Sequence, residues 1–138
     1  MFKQGSQYSR ADIWNIYRPD EDLQAGGNWF TGYCTQGDDL VIFMNIGVAG
    51  KTGHDFDNHY DSETETIRWF GKPNAHSKQP LFQKLLSGEL TPRFFARWDN
   101  KNVDFTYLGI GKVVHYEDHV PIVDGKGEPS ETIRLILT

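Results

Sequence analysis

Apolar positions recur in short segments along this chain, either alternating with polar residues or in unbroken runs. The segments are DLVIFMNIG at 39–47, ETIRWFG at 65–71, RFFARWD at 93–99, DFTYLGIGKVVHYE at 104–117 and TIRLILT at 132–138. A period of two and a high content of β-branched and aromatic residues are typical of β-strands. Turn-forming residues, mainly Gly, Asn, Asp and Pro, cluster between the segments, at 26–28, 48–53, 72–74, 99–102 and 124–127.

Two short helices are predicted among these strands. Ser9 is a suitable N-cap for a helix that begins at Arg10 and ends before Pro19. Its apolar face comprises Ile13, Trp14, Ile16 and Tyr17. Ser77 is the predicted cap of a second helix, KQPLFQKLLSG, which Gly88 closes.

The predicted fold is therefore α+β and mostly β, a curved antiparallel sheet or barrel with about two short helices. A chain of 138 residues suits a single domain, 1–138, that buries its core without a metal or a disulfide. Aromatic residues make up 14% of the sequence, so the core is expected to depend on rings.

Cysteine usage and the length of apolar runs bear on where the protein works. Cys34 is the single cysteine and cannot form an intramolecular disulfide, and no charged-then-apolar leader opens the sequence. We therefore expect a reducing, cytoplasmic location. No apolar run approaches the roughly 20 residues that cross a bilayer, so no membrane partner is expected.

Charge is distributed unevenly along the chain. The sequence carries 14 Lys and Arg against 19 Asp and Glu, a net charge of −5, which by itself disfavours a polyanionic partner. The stretch from Arg68 to Lys112 nevertheless contains eight cationic and three anionic side chains, which gives it a net charge of +5. Aromatic residues crowd the same stretch, and rings beside cations can stack on bases while holding phosphates. The stretch indicates nucleic-acid binding, with a solvated face of scattered lysines as the alternative.

Strand alternation places particular side chains together within this stretch. In the segment 93–99, Arg97 is predicted to share a face with Arg93 and Phe95. An arginine buried among rings needs an anionic partner, which is either a carboxylate such as Asp104 or a phosphate of the ligand.

Five sequence elements in a fixed order resemble those of a known family. They are Phe2 with YSRADI at 8–13, GDDLVIF at 37–43, YD at 60–61 with IRW at 67–69, Leu81 with FAR at 95–97, and FTYLG at 105–109. The order is similar to that of the C-terminal domain of phospholipase-D-type nuclease and helicase restriction proteins, which is also found attached to HNH nucleases. The resemblance covers nearly the whole chain.

This resemblance implies an SRA-like, PUA-type domain that recognises 5-methylcytosine or 5-hydroxymethylcytosine in double-stranded DNA by base flipping. Such a domain directs a nuclease or helicase of a type IV restriction system, or a related defence system, to the modified site. These 138 residues contain no counterpart of the fused nuclease. We therefore expect a targeting domain that does not cut and that acts alone or with a separate effector chain. The sequence leaves open which modification is recognised and whether a homodimer forms.

The resemblance also implies a base pocket. Tyr60, Asp61 and Trp69 match the family's Tyr-Asp and Trp positions, with Asp61 as acceptor for the cytosine amine and the two rings as walls. Further candidate rings of the pocket are Tyr33, Trp29 and Tyr107. The residues alone leave a second interpretation open, in which Trp69 fills the core and Asp61 caps a turn. The candidate contacts to the DNA backbone are Arg10, Arg68, Lys72, Ser77, Lys78, Arg93, Arg97 and Lys101.

Two other classes of function fit parts of the sequence. A divalent metal for phosphodiester hydrolysis has potential ligands in His54, Asp57, His59 and Asp61. The segment lacks the His-Glu-x-x-His helix spacing and is typical of an exposed acidic loop, which disfavours a metal-dependent nuclease. Rings next to arginines also form hot spots of protein interfaces, so a protein-interaction module is the main non-enzymatic alternative. No catalytic residue, cofactor or metal site is assigned.

Overall fold

The computed structural model describes residues 1–23, 29, 32–47, 58–99 and 101–138. Within these ranges the strands are β1 (Gln7–Ser9), β2 (Tyr33–Gln36), β3 (Asp39–Asn45), β4 (His59–Asp61), β5 (Thr66–Phe70), β6 (Thr91–Arg97), β7 (Asp104–Ile110), β8 (Val113–Val123) and β9 (Pro129–Leu137). The helices are α1 (Arg10–Tyr17) and α2 (Pro80–Ser87). The strands form a five-stranded sheet, β1-β7-β6-β3-β2, and a four-stranded sheet, β4-β5-β9-β8. The α+β, mostly β prediction is confirmed, with open curved sheets.

Strand pairing departs from the sequence pattern in three respects. β3 and β6 pair in parallel, so the five-stranded sheet is not purely antiparallel. The predicted strand at 104–117 divides into β7 and β8 at Gly111, where an added Cβ would lie 2.7 Å from Phe94 Cε2. Glycine is required there because the chain passes close to that ring as it moves from one sheet to the other. The pattern does not predict β1, β2 and β4, since three or four residues are too few to show a period.

A β-bulge lies in β7 opposite β6. Phe94 pairs with Gly109 and Phe95 with Tyr107, which leaves Leu108 as the extra residue. Gly109 has a φ of 118°, a conformation that favours glycine. The bulge leaves Tyr107 packed on one face of the sheet and Leu108 on the other.

The five-stranded sheet is buried on both faces. One face packs against the four-stranded sheet and α2 to form the inner core, which includes Leu40, Ile42, Met44, Trp69, Phe82, Phe94, Ala96, Ile133, Leu135 and Leu137. The other face packs against α1 and the N-terminal residues to form the outer core, which comprises Ile13, Trp29, Val41, Phe43, Phe95, Phe105 and Tyr107. Burial on both sides explains the unbroken apolar run of β3, which is typical of a central strand.

The ends of both helices follow from local sequence. Ser9 Oγ accepts a hydrogen bond from the Asp12 N–H at 3.1 Å, and the Asp12 carboxylate accepts one from the Ser9 N–H at 3.0 Å, so the predicted cap of α1 is confirmed. α2 begins at Pro80 rather than directly after Ser77. Proline suits the first helical position because it has no N–H to leave unsatisfied. Gly88 ends α2 with a φ of 87°.

Asp39 joins α1 to the five-stranded sheet. Its Oδ2 accepts hydrogen bonds from the Tyr17 hydroxyl and from Arg93 Nε, both at 2.8 Å. Arg93 Nη1 also donates to the Tyr107 hydroxyl at 2.9 Å. Burial, together with the bond to Asp39, raises the pKa of Tyr17. The phenol therefore stays protonated and keeps donating throughout the neutral range.

Both helices are short, at eight residues each. At about 1.5 Å per residue, such a helix is much shorter than the roughly 30 Å hydrocarbon core of a bilayer. In the part of the chain that the structure describes, no helix has the length and apolar character of a membrane span.

Replacing Trp69 by alanine is expected to lower the free energy of unfolding by about 3–5 kcal/mol. The reason is that Trp69 is 2% exposed and its ring packs against those of Tyr33 and Phe82. Trp98→Ala removes the same side chain from a position that is 50% exposed, so a loss of about 0.5 kcal/mol or less is expected. Urea unfolding monitored by circular dichroism measures both variants. Equal losses would show that Trp69 is not a core residue.

Candidate nucleic-acid interface

The residues of the predicted base pocket do not all come together, and only Tyr60 and Tyr107 of the predicted set line one cleft. Trp69 and Tyr33 lie at the inner core with ring centroids 5.2 Å apart, and Trp69 is 2% exposed. Trp29 and Tyr107 belong to the outer core, on the other side of the sheet, and each is 4% exposed. The prediction of one pocket built from these rings is wrong, because the protein's own side chains cover their surfaces.

Asp61 also points away from its predicted companions. Side chains alternate along β4, so Asp61 lies on the face opposite to Tyr60, which packs against the inner core as Trp69 does. Asp61 Oδ1 accepts hydrogen bonds from the backbone N–H groups of Glu63 and Thr64, at 3.0 and 3.4 Å. Asp61 therefore caps the turn between β4 and β5, which corrects its assignment as the amine acceptor.

A cleft of about 370 Å³ opens where β4 lies beside β7 and the N-terminal residues. It is lined by Gln4, Gly5, Tyr60, Trp98, Thr106, Tyr107 and Leu108. Trp98 is 50% exposed and offers an uncovered aromatic face, whereas Tyr60 is half-buried. Tyr107 contributes little ring surface, because it is 4% exposed. The Gln4 amide and the Thr106 hydroxyl add hydrogen-bonding groups beside the rings.

A second cavity, of about 300 Å³, lies beside the C-terminal end of α2. Its lining includes Leu85, Leu86, Leu90, Pro92, Ile110, Gly111, Lys112 and Val113. None of its lining residues is aromatic, so it offers no surface on which a base could stack. The candidate site is therefore the first cavity, which we name the Trp98 cleft.

Two of the predicted backbone contacts already have anionic partners within the protein. Ser77 is 8% exposed, and its N–H and hydroxyl donate to the two Asp118 carboxylate oxygens at 2.9 and 2.5 Å. Arg93 is paired with Asp39 at 2.8 Å, and both side chains are largely covered. Ser77 and Arg93 are therefore corrected to structural roles, since a phosphate would have to displace a carboxylate from each.

Four other predicted cations differ in their exposure. Lys78 and Lys101 are exposed, whereas Arg68 and Lys72 are half-buried. The Lys72 ammonium lies 4.5 Å from the centre of the Tyr33 ring, and burial lowers the pKa of Lys72. Lys101 lies in the loop between β6 and β7, which also carries Trp98. Lys101 is thus an exposed cation in the same short loop as the exposed ring of the cleft.

Arg10 and Arg97 lie over rings of the outer core. Arg10 Cζ is 4.1 Å from the centre of the Phe43 ring and 5.1 Å from that of Phe105, and Arg97 Cζ is 4.4 Å from that of Phe105. In the described ranges Arg97 makes no salt bridge, so the alternative of an ion pair with Asp104 is wrong. Burial, and then the charge of Arg97, lower the pKa of Arg10 to about 10. Both side chains remain cations at neutral pH.

The metal-site hypothesis rests partly on residues that are not described. His54 and Asp57, like the predicted turns at 26–28 and 48–53, lie outside the described residues. His59 and Asp61 lie on one face of β4. Among the described residues, no three His, Cys, Asp or Glu side chains are arranged to hold a metal ion.

The sequence-based site contains Tyr60 and Tyr107 of the Trp98 cleft but misses its five other lining residues, which are Gln4, Gly5, Trp98, Thr106 and Leu108. Ala96, two positions before Trp98, faces the inner core, so alternation by itself would bury Trp98. Trp98 is exposed because β6 ends at Arg97. Gln4 lies in a segment without an apolar pattern. The sequence signal that indicates this site is a tryptophan in the same short loop as Lys101.

Comparison with known proteins adds a family and a set of fold neighbours. A family model described as "Domain of unknown function (DUF3427)" matches residues 2–138, and no curated protein matches the sequence. The sulfur-binding and SRA domains of ScoMcrA, complexed with phosphorothioated DNA, match with a TM-score of 0.65 at 13% identity, over 100% of this chain and 40% of that one.

Two further structures have related folds. The MspJI restriction endonuclease, in complex with a 27-mer oligonucleotide, matches with a TM-score of 0.53 at 17% identity, over 72% of this chain and 28% of that one. SUVH6 of Arabidopsis thaliana, in complex with SAM, matches with a TM-score of 0.53 at 15% identity, over 99% of this chain and 25% of that one. The predicted SRA-like fold is confirmed, and the chain spans less than half the length of each of these structures.

Ser77→Ala is expected to raise the pKa of Asp118. Desolvation raises this pKa, but the two hydrogen bonds from Ser77 outweigh it and hold the pKa below its usual value. A lowered carboxyl pKa stabilises the folded state above the unfolded pKa of about 4. The difference in free energy of unfolding between the unaltered protein and Ser77→Ala should therefore be full at neutral pH. It should vanish as the pH falls through the folded pKa of Asp118.

NMR titration of the Asp118 carboxyl carbon, with urea unfolding at several pH values, measures both effects. Ser87→Ala is the matched control, because Ser87 is exposed and its hydroxyl donates only to a carbonyl within α2. An Asp118 pKa that is the same in the Ser77 variant and the control would contradict the structural role of Ser77.

Proposed function

This chain belongs to the DUF3427 family, and from that membership and the SRA-like fold we propose that it binds double-stranded DNA and recognises a modified base. The base in this proposal is 5-methylcytosine or 5-hydroxymethylcytosine, and the domain is the targeting part of a modification-dependent restriction or defence system. Two fold neighbours support the proposal, since the ScoMcrA domains were solved with phosphorothioated DNA and MspJI with an oligonucleotide. The effector outside these residues is a nuclease or helicase, and cutting is assigned to the nuclease.

The observation that carries the proposal is the Trp98 cleft. A base inside a duplex becomes accessible only after it leaves the stack, which costs a few kcal/mol. Stacking on an aromatic side chain returns about 1–3 kcal/mol per base, and Trp98 offers such a surface. The volume of about 370 Å³ lies within the roughly 300–1,000 Å³ of ligand pockets. One extruded base, stacked on Trp98 and packed beside Tyr60, is the ligand that fits this cleft.

Polar and apolar groups of the cleft suit the edge of a modified cytosine. The Gln4 amide can accept a hydrogen bond from the cytosine amine and donate one to the adjacent ring nitrogen, whereas an ionised carboxylate can only accept. Gln4 is therefore the proposed hydrogen-bond partner of the base edge. Asp61 cannot fill this role because it lies outside the cleft. Leu108 adds apolar surface, and burial of a 5-methyl group against it is favourable by about 0.8 kcal/mol per buried carbon.

The loop that carries Trp98 supports a nucleic-acid partner. Asp99 Oδ1 accepts a hydrogen bond from the Lys101 N–H at 2.9 Å, and Asn102 Oδ1 accepts one from the Asp104 N–H at 3.0 Å. A loop held by its own hydrogen bonds loses less conformational entropy on binding. Lys101 can therefore hold a phosphate while Trp98 holds a base.

A binding role rather than a catalytic one is part of this proposal, as is a cytoplasmic location. Cys34 is a half-buried free thiol, and burial raises its pKa, so it is a poor nucleophile at neutral pH. The domain is proposed to need no cofactor.

Trp98→Ala is expected to weaken binding to a duplex with one 5-methylcytosine about tenfold or more, because stacking on the base is lost. Binding to the unmodified duplex should change less. Fluorescence anisotropy with matched duplexes carrying cytosine, 5-methylcytosine, 5-hydroxymethylcytosine or phosphorothioate measures the preference. Tyr116→Ala is the matched control, since Tyr116 is 44% exposed and lies in β8, outside the cleft lining.

Two results of this panel would count against the proposal. If Trp98→Ala keeps the full preference for modified DNA, the base is not held in the Trp98 cleft. If the unaltered protein prefers only the phosphorothioate duplex, recognition occurs at the DNA backbone instead of the base.

Lys101→Ala is expected to weaken binding to modified and unmodified duplexes by the same factor, since a phosphate contact carries no information about the base. The slope of log affinity against log salt should become shallower by about one. Titrations between about 50 and 200 mM salt measure the slope. DNA binding that is absent at low salt would favour the protein-interaction module instead.

A further inference from the structure

Three lining residues of the Trp98 cleft point into the space between the two sheets. Thr106 lies opposite Ala96 of the inner core in the pairing of β7 with β6, and residues opposite each other share a face. Leu108 packs against the same core from β7, and Tyr60 packs against it from the other sheet. The side chains of Thr106, Leu108 and Tyr60 therefore converge on one opening, which all three line.

The lining of the cleft offers hydrogen-bonding groups but no charge. None of its residues is an Asp, Glu, Lys, Arg or His, and the lining consists of Gln4, Gly5, Tyr60, Trp98, Thr106, Tyr107 and Leu108. An ion that leaves water for such a site finds no opposite charge, which is unfavourable. The lining therefore suits a neutral ligand with polar groups at its edge.

Two hydroxyl groups of the lining are open to the cleft. In the part of the chain that the structure describes, neither the Thr106 hydroxyl nor the Tyr60 hydroxyl forms a hydrogen bond within the protein. Both residues are half-buried, yet no fully covered side-chain oxygen or nitrogen of the described residues lacks a partner. Both hydroxyls are therefore accessible, and the cleft is the opening that both residues line. A hydroxyl donates and accepts, so each can bond to a ligand group of either kind.

Gln4 and Thr106 are placed to contact neighbouring groups of one base. The Gln4 amide lies beside Gly109, since its Nε2 is 3.7 Å from the position of a Cβ added there. Thr106 lies three residues before Gly109 on β7. In cytosine, the amine on C4 and the substituent on C5 are also neighbours. A base whose amine bonds to Gln4 can therefore place its C5 substituent between Leu108 and Thr106.

We propose that the Thr106 hydroxyl binds the hydroxyl of 5-hydroxymethylcytosine, so that the Trp98 cleft prefers this base to 5-methylcytosine. This inference rests on the proposed function and narrows the base that it recognises. A methyl group would gain the apolar surface of Leu108 but would cover the Thr106 hydroxyl without giving it a partner. A covered polar group without a hydrogen bond is unfavourable. A hydroxymethyl group, which bonds to Thr106, is the better ligand.

Competition binding with duplexes that differ only in carrying 5-hydroxymethylcytosine or 5-methylcytosine at one position tests this preference. The full chain is expected to bind the first about fivefold more tightly, the factor that corresponds to one net hydrogen bond. Thr106→Val keeps the shape of the side chain and removes its hydroxyl, so the ratio of the two affinities should fall to about one or below. Thr106→Ser keeps the hydroxyl and should retain a ratio above one. If circular dichroism shows that the valine variant is unfolded, Thr106→Ala makes the same test.

A control variant and a charged base complete the experiment. Thr35→Val makes the same substitution at an exposed position of β2 outside the cleft lining, and it should leave both affinities unchanged. A duplex with 5-carboxylcytosine brings a carboxylate to a lining that has no cation. It is expected to bind about tenfold or more weakly than the 5-hydroxymethylcytosine duplex.

The two proposals fail in different ways. If the full chain binds neither modified duplex more tightly than the cytosine duplex, the proposed function is wrong. If it prefers both to cytosine but binds 5-methylcytosine as tightly as 5-hydroxymethylcytosine, the role of Thr106 is overturned while the proposed function stands. The same conclusion follows if Thr106→Val keeps the ratio of the unaltered protein, or if the 5-carboxylcytosine duplex binds as tightly as the 5-hydroxymethylcytosine duplex.

Discussion

The parallel pairing of β3 with β6 is the constraint on which the rest of the structure depends. The two strands lie side by side in the middle of the five-stranded sheet, with Ile42 opposite Phe94 and Phe43 opposite Phe95. The first pair faces the inner core and the second the outer core. A shift of one residue in either strand would exchange the two sets of rings between the layers. The second sheet, α1 and the Asp39 hydrogen bonds all attach to surfaces that this register creates.

Sequence patterns give the strands and local features of this fold, such as the cap at Ser9, because each depends on a few neighbouring residues. A period of two shows that successive side chains of a strand point to opposite faces of the sheet. It shows neither which distant strand is the pairing partner nor which face the rest of the protein covers. Trp69 and Trp98 illustrate the limit, since both follow an arginine in an apolar segment yet are 2% and 50% exposed. The difference arises because β5 continues beyond Trp69, whereas β6 ends before Trp98.

Charge counted along the sequence overstates the cationic surface for a related reason. Within the stretch from Arg68 to Lys112, Arg93 is paired with Asp39, and Lys72 and Arg97 lie over aromatic rings of the protein itself. Aromatic rings attract cationic side chains in a protein core as they do at a nucleic-acid surface. Such a stretch therefore indicates that rings and cations are close together, and only the fold decides which of them remain available to a ligand.

Both ends of the chain lie near the Trp98 cleft. Gln4 and Gly5 form part of its wall, and Leu137 pairs with Ile67, which in turn pairs with Tyr60 of the cleft. Neighbouring strands lie about 4.8 Å apart, so the last strand ends about two strand spacings from the cleft. A polypeptide joined before Met1 or after Thr138 therefore begins beside this opening, and a fluorophore or affinity tag at either end needs a linker long enough to leave it uncovered.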